Sequence, residues 1–181
     1  KTPTLAQWVA AVTHVESRGN PRAVSPVGAV GTMQTMPYTL RDPGFGVVPA
    51  RDDSDAERTR VGVDYLKAMM GRYDDPRMAL AAYNWGPGRV DNALKSTAGN
   101  ADAVIARMPK ETQDYIPKVY ARLGIAAPVG GVVADAATTA PTASRIPAGT
   151  PVFDMTDTDA REKAHMGWLG GAIPGTDGTS G

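Results

Sequence analysis

The sequence predicts an all-α protein, in which a compact helical domain is followed by an extended C-terminal tail. Apolar residues recur at the i, i+3, i+4 and i+7 spacing of a helix face in several segments. In the first segment these residues are Leu5, Trp8, Val9, Val12 and Val15. The segments are separated by short loops rich in Gly and Pro, and none alternates apolar and polar residues as a strand would. Beyond about residue 124 the composition shifts to Ala, Thr, Pro, Gly and Val.

We therefore expect one helical domain over residues 1–124, a linker over 125–151 and a C-terminal tail over 152–181. A chain of 181 residues has room for one sizeable core. The tail has too few apolar residues for a core of its own, although a short helix is expected around 157–168.

Charge and composition restrict the classes of function. The 19 basic residues equal the 19 acidic ones, so net charge gives no reason to expect nucleic acid or an anionic membrane as partner. The absence of cysteine excludes disulfides and thiolate metal sites. No apolar run approaches the ~18 residues of a membrane span. His14 and His165 have no partners at metal-ligand spacing, and we expect neither a metal nor a cofactor.

The first half of the domain is expected to hold three helices. Thr4 is a candidate N-cap for a helix over 4–17, and a loop follows it. A short helix is then expected to run to about Met36, because Pro37 bars its continuation. After a surface loop over 41–53, Ser54 and Glu57 form a capping-box pattern before a helix that ends near 72–74.

The acidic residues beside that capping box lack the spacing of an EF-hand, so capping and solvation explain them better than calcium does. They are Asp52, Asp53, Asp55 and Glu57. Later helices are expected over 76–85, 89–94, 100–108 and 111–123. Pro117 inside the last one predicts either a kink or a helix that begins nearer 115.

Glu16 is the strongest candidate for catalytic chemistry. It continues the apolar stripe of the first helix and lies at the C-terminal end of that helix. Burial and the negative end of the helix dipole both disfavour its charged form, so its pKa should rise above ~4.3, as a general acid requires. Position alone, however, favours an ordinary boundary residue whose carboxylate reaches water.

The residues that follow Glu16 resemble the lysozyme-like domain of the soluble lytic transglycosylases, related to goose-type lysozyme. Three motifs carry the resemblance, which spans residues 5–124. The first consists of Glu16-Ser17, Asn20-Pro21, Ser25, Gly28-Ala29, Gly31, Gln34 and Met36-Pro37. The second is Ala82-Tyr83-Asn84-Trp85-Gly86-Pro87-Gly88, and the third is Pro109-Lys110-Glu111-Thr112, followed by Tyr115-Ile116. One departure is Thr32, where the family carries leucine.

The resemblance implies a lysozyme-like fold with a substrate cleft and cleavage of peptidoglycan glycan strands, with Glu16 as the catalytic residue. Residues implied to hold the sugar are Ser25, Gln34, Met36, Tyr83, Asn84, Glu111 and Tyr115. For Glu111, an ordinary acid in the first turn of a helix stays an equal alternative. For Trp85, stacking on a sugar and filling the core stay equally open.

The implied product is a 1,6-anhydromuramoyl end, and the implied place of action is the bacterial envelope. The alternatives are a lysozyme that hydrolyses the same bond and a wall-binding or virion module without turnover. The Asp42-Pro43-Gly44-Phe45-Gly46 loop is similar to one found in bacteriophage virion and ejection proteins. That similarity makes carriage in a virion, with virion or envelope proteins as partners of the tail, a further expectation.

Overall fold

A computed structural model describes residues 2–128 of the chain. Within that range the protein has seven helices and no strand; two isolated bridges join Val24 to Val30 and Val30 to Thr35. The helices are α1 Leu5–Ser17, α2 Pro37–Arg41, α3 Asp55–Arg72, α4 Pro76–Trp85, α5 Pro87–Ser96, α6 Ala101–Arg107 and α7 Lys110–Arg122. The expected tail over 152–181, with its short helix and His165, and all but the first four residues of the linker lie outside the described residues.

Helix α4 is the centre of the domain. It packs against α3, α5 and α7, while α1 packs against α7 and α3. Five consecutive residues of α4, 78–82, are buried. All five are apolar, as expected of a helix segment that other helices enclose on all sides. Trp8 of α1 meets Tyr120 of α7 edge to face, with ring centroids 5.3 Å apart, and this contact closes the core.

Local signals explain where most helices begin. The Thr4 hydroxyl accepts from the Gln7 amide, and the Gln7 side chain accepts from the Thr4 amide, which is a complete capping box. Asn100 caps α6 as expected, since its side chain accepts from the Ala103 amide. Gly86, at φ 103°, both ends α4 and begins α5, so these two helices meet without a loop.

Two of the sequence-based expectations are wrong, and a third gave a helix in the right place with bounds that are too short. No helix runs to Met36; instead Pro37 occupies the first turn of α2, where its missing amide hydrogen costs nothing. The helix expected over 89–94 begins earlier, at Pro87. Helix α7 begins at Lys110 and continues through Pro117, so the start nearer 115 is also wrong.

Candidate functional site

The loop after Glu16 is fixed by the side chains of the first motif. The Ser17 hydroxyl donates to the Thr32 carbonyl at 2.7 Å and accepts from the Asn20 amide at 3.1 Å. Gln34 has a left-handed backbone, at φ 48°, and its side-chain amide donates to the carbonyls of Ala23 and Gly31. These bonds hold the loop against the end of α1, and Gln34 is the residue among them that the sequence predicted to bind the sugar.

Helix α3 packs against this loop and holds it in place. The Asp55 carboxylate accepts from the Thr32 hydroxyl at 3.1 Å, so the departure from the family's leucine is matched by a polar partner. Gly62 lets α3 approach closely, because a Cβ built there would lie 2.6 Å from the Met33 Cβ and 2.9 Å from the Thr35 hydroxyl. The site therefore rests on a contact that any larger residue at position 62 would break.

Glu16 lies at the C-terminal end of α1 and is partly buried. Burial removes water from the carboxyl and raises its pKa from about 4.5 to about 7, while the Tyr115 hydroxyl opposes the rise and the charge of Glu111 adds to it. A carboxyl with this pKa is protonated in a large fraction of molecules near neutral pH. It can therefore donate a proton and afterwards accept one.

Tyr83 of α4 lies within electrostatic reach of Glu16. Its hydroxyl donates to the Met33 carbonyl at 2.9 Å, which ties α4 to the loop of the first motif. Desolvation first, and then the negative charge of Glu16, raise the pKa of Tyr83 well above 10. Tyr83 is thus a neutral phenol at any physiological pH, available as a hydrogen-bonding group and not as a base.

Tyr115 of α7 is buried against the same carboxyl. Burial and the charge of Glu16 raise the pKa of its hydroxyl well above 10. Although it interacts with Glu16, this hydroxyl makes no hydrogen bond of standard geometry to any residue between 2 and 128. Hydrogen bonds in catalytic sites are often long before substrate binds, so the Tyr115 hydroxyl is placed to bond to Glu16 once substrate is present.

Asn84 is turned to a structural partner. Its side-chain carbonyl accepts from the hydroxyl of buried Thr112 at 2.8 Å, which joins the end of α4 to the first turn of α7. The second and third motifs are therefore linked to each other directly. The amide nitrogen of Asn84 is the part of this side chain left for a ligand.

The remaining predicted residues are spread along the site. Ser25 is partly buried, and its hydroxyl accepts from the Ala29 amide at 3.0 Å. Met36 is partly buried just before α2, and Glu111 is exposed in the first turn of α7. Within the described range neither Ser25 nor Met36 hydrogen-bonds to Glu16. Trp85 is partly buried and packs against the core, as the core-filling alternative predicts. Stacking of Trp85 on a sugar stays a prediction.

Sequence reasoning missed three supporting residues. Thr112 was visible inside the third motif, but nothing local indicated that its hydroxyl would reach α4. Gly62 carried a usable signal, since a glycine inside a helical pattern lowers helix stability and needs a reason. The Thr35 hydroxyl is buried beside Tyr83 and has no hydrogen-bond partner of standard geometry between residues 2 and 128. No pattern in the sequence pointed to it.

The helical architecture and the three joined motifs define a domain with the fold of the lytic transglycosylases. The family model described as Transglycosylase SLT domain matches residues 2–105. The chain belongs to this family.

Relatives with known names agree with this assignment. The chain is 35% identical over 125 residues to a soluble lytic murein transglycosylase of Escherichia coli, a match that covers 63% of this chain and 19% of that protein. It is 37% identical over 110 residues to a transglycosylase of Enterobacteria phage PRD1, covering 54% of this chain and 40% of the phage protein. The chain thus matches a minor part of each of these relatives.

Solved structures show the same likeness. SLT70, the 70 kDa soluble lytic transglycosylase of E. coli, superposes with a TM-score of 0.55 at 32% identity, covering 68% of this chain and 21% of that one. An inactive mutant of the lytic transglycosylase Slt from Pseudomonas aeruginosa, with glutamate changed to glutamine, gives 0.53 at 31% identity, covering 65% and 20%. None of the helices between residues 2 and 128 is long and apolar enough to cross a membrane.

Proposed function

We propose that this domain is a peptidoglycan lytic transglycosylase. It cleaves the β-1,4 bond between N-acetylmuramic acid and N-acetylglucosamine and leaves a 1,6-anhydromuramoyl end. The observation that carries the proposal is the Glu16 carboxyl, whose pKa of about 7 is produced by burial between motifs that belong to this family. The inactive Pseudomonas relative, in which one glutamate is changed to glutamine, also supports an essential role for a glutamate.

The reaction needs one carboxyl group acting twice. Protonated Glu16 gives its proton to the bridging oxygen, and the N-acetylglucosamine side leaves with that oxygen as a hydroxyl. The N-acetyl group of the substrate stabilises the positive charge at C1 of the muramic acid. The Glu16 carboxylate then takes the proton of the C6 hydroxyl while O6 bonds to C1, which closes the anhydro ring and restores the acid.

The surroundings of the other glutamates in the described residues favour this route with one carboxyl group over the pair of carboxylates that glycosidases usually employ. Glu57 is held by two arginines and lies at the start of α3. Glu111 is exposed and acts on Glu16 through its charge. Because Glu111 is a second carboxylate within electrostatic reach, a hydrolytic lysozyme that uses it to activate water is the competing function. A wall-binding or virion module without turnover is the non-enzymatic one.

The remaining predicted residues are assigned to holding the sugar. The charge of Glu16 raises the pKa of both Tyr83 and Tyr115, and we place these two side chains next to the reacting bond. Gln34 and Asn84 shape the site through their internal hydrogen bonds, and each keeps one polar atom for the ligand. Ser25 is placed with Tyr83 nearest the chemistry, and Met36 and Glu111 line the approach.

The place of action follows from the substrate, which puts the domain in the bacterial envelope. The phage PRD1 relative and the loop around Phe45 support carriage in a virion. The C-terminal tail over 152–181 would then bind other virion or envelope proteins. We expect no part for nucleic acid.

Digestion of purified peptidoglycan sacculi, with mass analysis of the released muropeptides, tests the proposal. The parent chain should release fragments with anhydro ends, and Glu16→Gln should release them about 10³-fold more slowly. Fragments with ordinary reducing ends would assign the chain to the hydrolases. A parent chain that binds sacculi and releases nothing would support the non-enzymatic module.

A further inference from the structure

The loop between α2 and α3 presents an aromatic side chain on an unfavourable backbone. Gly44, Phe45 and Gly46 are all left-handed, at φ 66°, 52° and 74°. Glycine adopts this conformation freely, but a bulky residue at positive φ is an outlier that the surrounding structure must enforce. Asparagine or glycine would suit position 45 better. The phenyl ring itself must therefore be the reason for phenylalanine there.

The loop is held firmly on both sides of Phe45. The Val47 amide donates to the Gly44 carbonyl at 2.9 Å, and the Ala50 amide donates to the Leu40 carbonyl at 2.8 Å. Arg60 donates from its guanidinium to the carbonyls of Val48 and Pro49. The ring of Phe45 is consequently displayed from a fixed backbone, although 47% of the residue is exposed.

Phe45 is also the outer end of a row of aromatic rings that leads to the site. Its centroid lies 6.0 Å from that of Tyr65, and the Tyr65 centroid lies 5.9 Å from that of Tyr83. The Arg72 guanidinium lies over the Phe45 ring at 5.5 Å. These three rings, which we call the aromatic row, run from the exposed loop to the tyrosine beside Glu16.

We propose that Phe45 is a sugar-stacking residue that binds the glycan strand away from the cleaved bond. This inference rests on the proposed function, because it extends that site along its polymeric substrate. Aromatic rings present large apolar faces that pack against the C–H face of a sugar. Two ring-to-ring steps separate Phe45 from Tyr83, a reach that a strand of a few sugar rings spans.

A purely structural role for Phe45 predicts something different. In that case the ring would hold the loop by its contacts with Tyr65 and Arg72, and its removal would lower thermal stability without a specific effect on glycan binding. The strained backbone separates the two roles. Phe45→Asn removes the ring and at the same time relieves the backbone strain. These two changes have opposite effects on the stability of the loop, whereas only the loss of the ring affects its affinity for the sugar.

The test measures the dissociation constant for purified, peptide-free glycan strands by calorimetry. It uses the full 181-residue chain in a Glu16→Gln background, so that strands are not consumed. We expect Phe45→Asn to bind about tenfold more weakly, because about half of a phenylalanine surface loses its contact. Phe45→Tyr keeps the ring and should stay within about twofold of the parent.

Val48→Ala is the matched control, since Val48 is an exposed apolar residue of the same loop, at 61% exposure, and carries no ring. It should leave the dissociation constant unchanged. Equal affinity of Phe45→Asn and its parent would overturn the inference, as would equal weakening by Val48→Ala. Weaker binding by Phe45→Asn in a chain whose wild type releases no muropeptides would uphold the subsite and reject the proposed function.

Discussion

Two glutamates of this domain occupy opposite kinds of surroundings. Glu57, at the start of α3, is buried, and its carboxylate accepts from the guanidinium groups of Arg51 at 2.6 Å and Arg60 at 2.9 Å. Hydrogen bonds from Arg51 and then Arg60 hold the pKa of Glu57 well below its usual range. Glu16, at the end of α1, has tyrosines and another carboxylate near it, and its pKa rises to about 7.

The difference shows that burial alone does not decide what a carboxyl group does. Both side chains lose contact with water, which by itself raises a carboxyl pKa. Near Glu57 two cations reverse that effect and produce a permanently charged clamp for the 51–60 segment. Near Glu16 no cation offsets the loss of hydration among the causes that set its pKa. The acid is therefore ready to exchange protons near neutral pH.

The largest expected effect comes from Glu16→Gln, which removes the proton donor and keeps the shape. Cleavage of peptidoglycan should fall by about 10³-fold, the contribution typical of a general acid. A thermal unfolding scan at the same time checks that the domain stays folded. If Glu16→Gln cleaved peptidoglycan at a rate within tenfold of the parent, the comparison would be contradicted, because Glu16 would then matter no more to catalysis than Glu57.

The same variant should be more stable than the parent at alkaline pH. The pKa of Glu16 is about 7 when folded and near 4.5 when unfolded, so its contribution to stability is fully present below pH 4.5 and is lost as the pH rises through 7. At pH 8 the glutamine should raise the free energy of unfolding by about 3 kcal/mol. Denaturant titrations at pH 5 and pH 8 measure this, and the gain should be small at pH 5.

Glu57→Gln should have the opposite consequence, with lower stability and intact chemistry. Because its pKa is depressed in the folded state, Glu57 stabilises the domain above its unfolded pKa and loses that contribution as the pH falls. The variant should unfold at lower temperature than the parent at pH 7, and the gap should narrow in acid. A loss of specific activity measured on the folded fraction would show that the two regions are coupled.

Gly62→Ala tests whether α3 transmits such coupling, since α3 starts at the Glu57 clamp and meets the site at Gly62. The new methyl group would press on Met33 and Thr35, and we expect a loss of about 1–3 kcal/mol in unfolding free energy together with lower activity. Gly71→Ala in the same helix is the matched control. Nothing lies within 4 Å of its Cβ position, so that variant should be neutral or more stable.

Glu111→Gln is expected to have the smallest effect on activity. It tests whether the charge of Glu111 helps to raise the pKa of Glu16. Removing this nearby negative charge should lower the pKa of Glu16, because the charge of Glu111 contributes to raising it. The alkaline limb of the pH profile for kcat/KM should move to lower pH, while the maximal rate changes little. Loss of activity comparable to that of Glu16→Gln would instead favour the hydrolytic lysozyme, in which Glu111 has a direct role.

The contrast between the two glutamates also marks what sequence could foresee. Helical periodicity placed Glu16 at a buried helix end, and this local property predicted the direction of its pKa shift. The Ser54–Glu57 pattern was only half right. The Ser54 hydroxyl does accept from the Glu57 amide, but the Glu57 side chain turns to Arg51 and Arg60 instead of completing the capping box.

Other failures have the same origin. Pro37 is compatible with a helix that stops before it and with one that starts at it, and only the position of α2 against α3 decides. Likewise, Asn84 is joined to Thr112 across 28 positions of sequence, so no local pattern predicts that its carbonyl is occupied. Residues whose role is set by their own helix were predictable, and those whose role is set by a neighbouring helix were not.

The direct junction of α4 and α5 at Gly86 has a practical consequence for engineering. One residue inserted there would change the direction of α5 relative to α4 and displace the buried residues Pro87 and Val90 of α5. Labels, affinity tags or new chain termini should instead enter the turn over 97–100, where Ala98, Gly99 and Asn100 are exposed. The turn over 97–100 is thus a place where added length is expected to be tolerated.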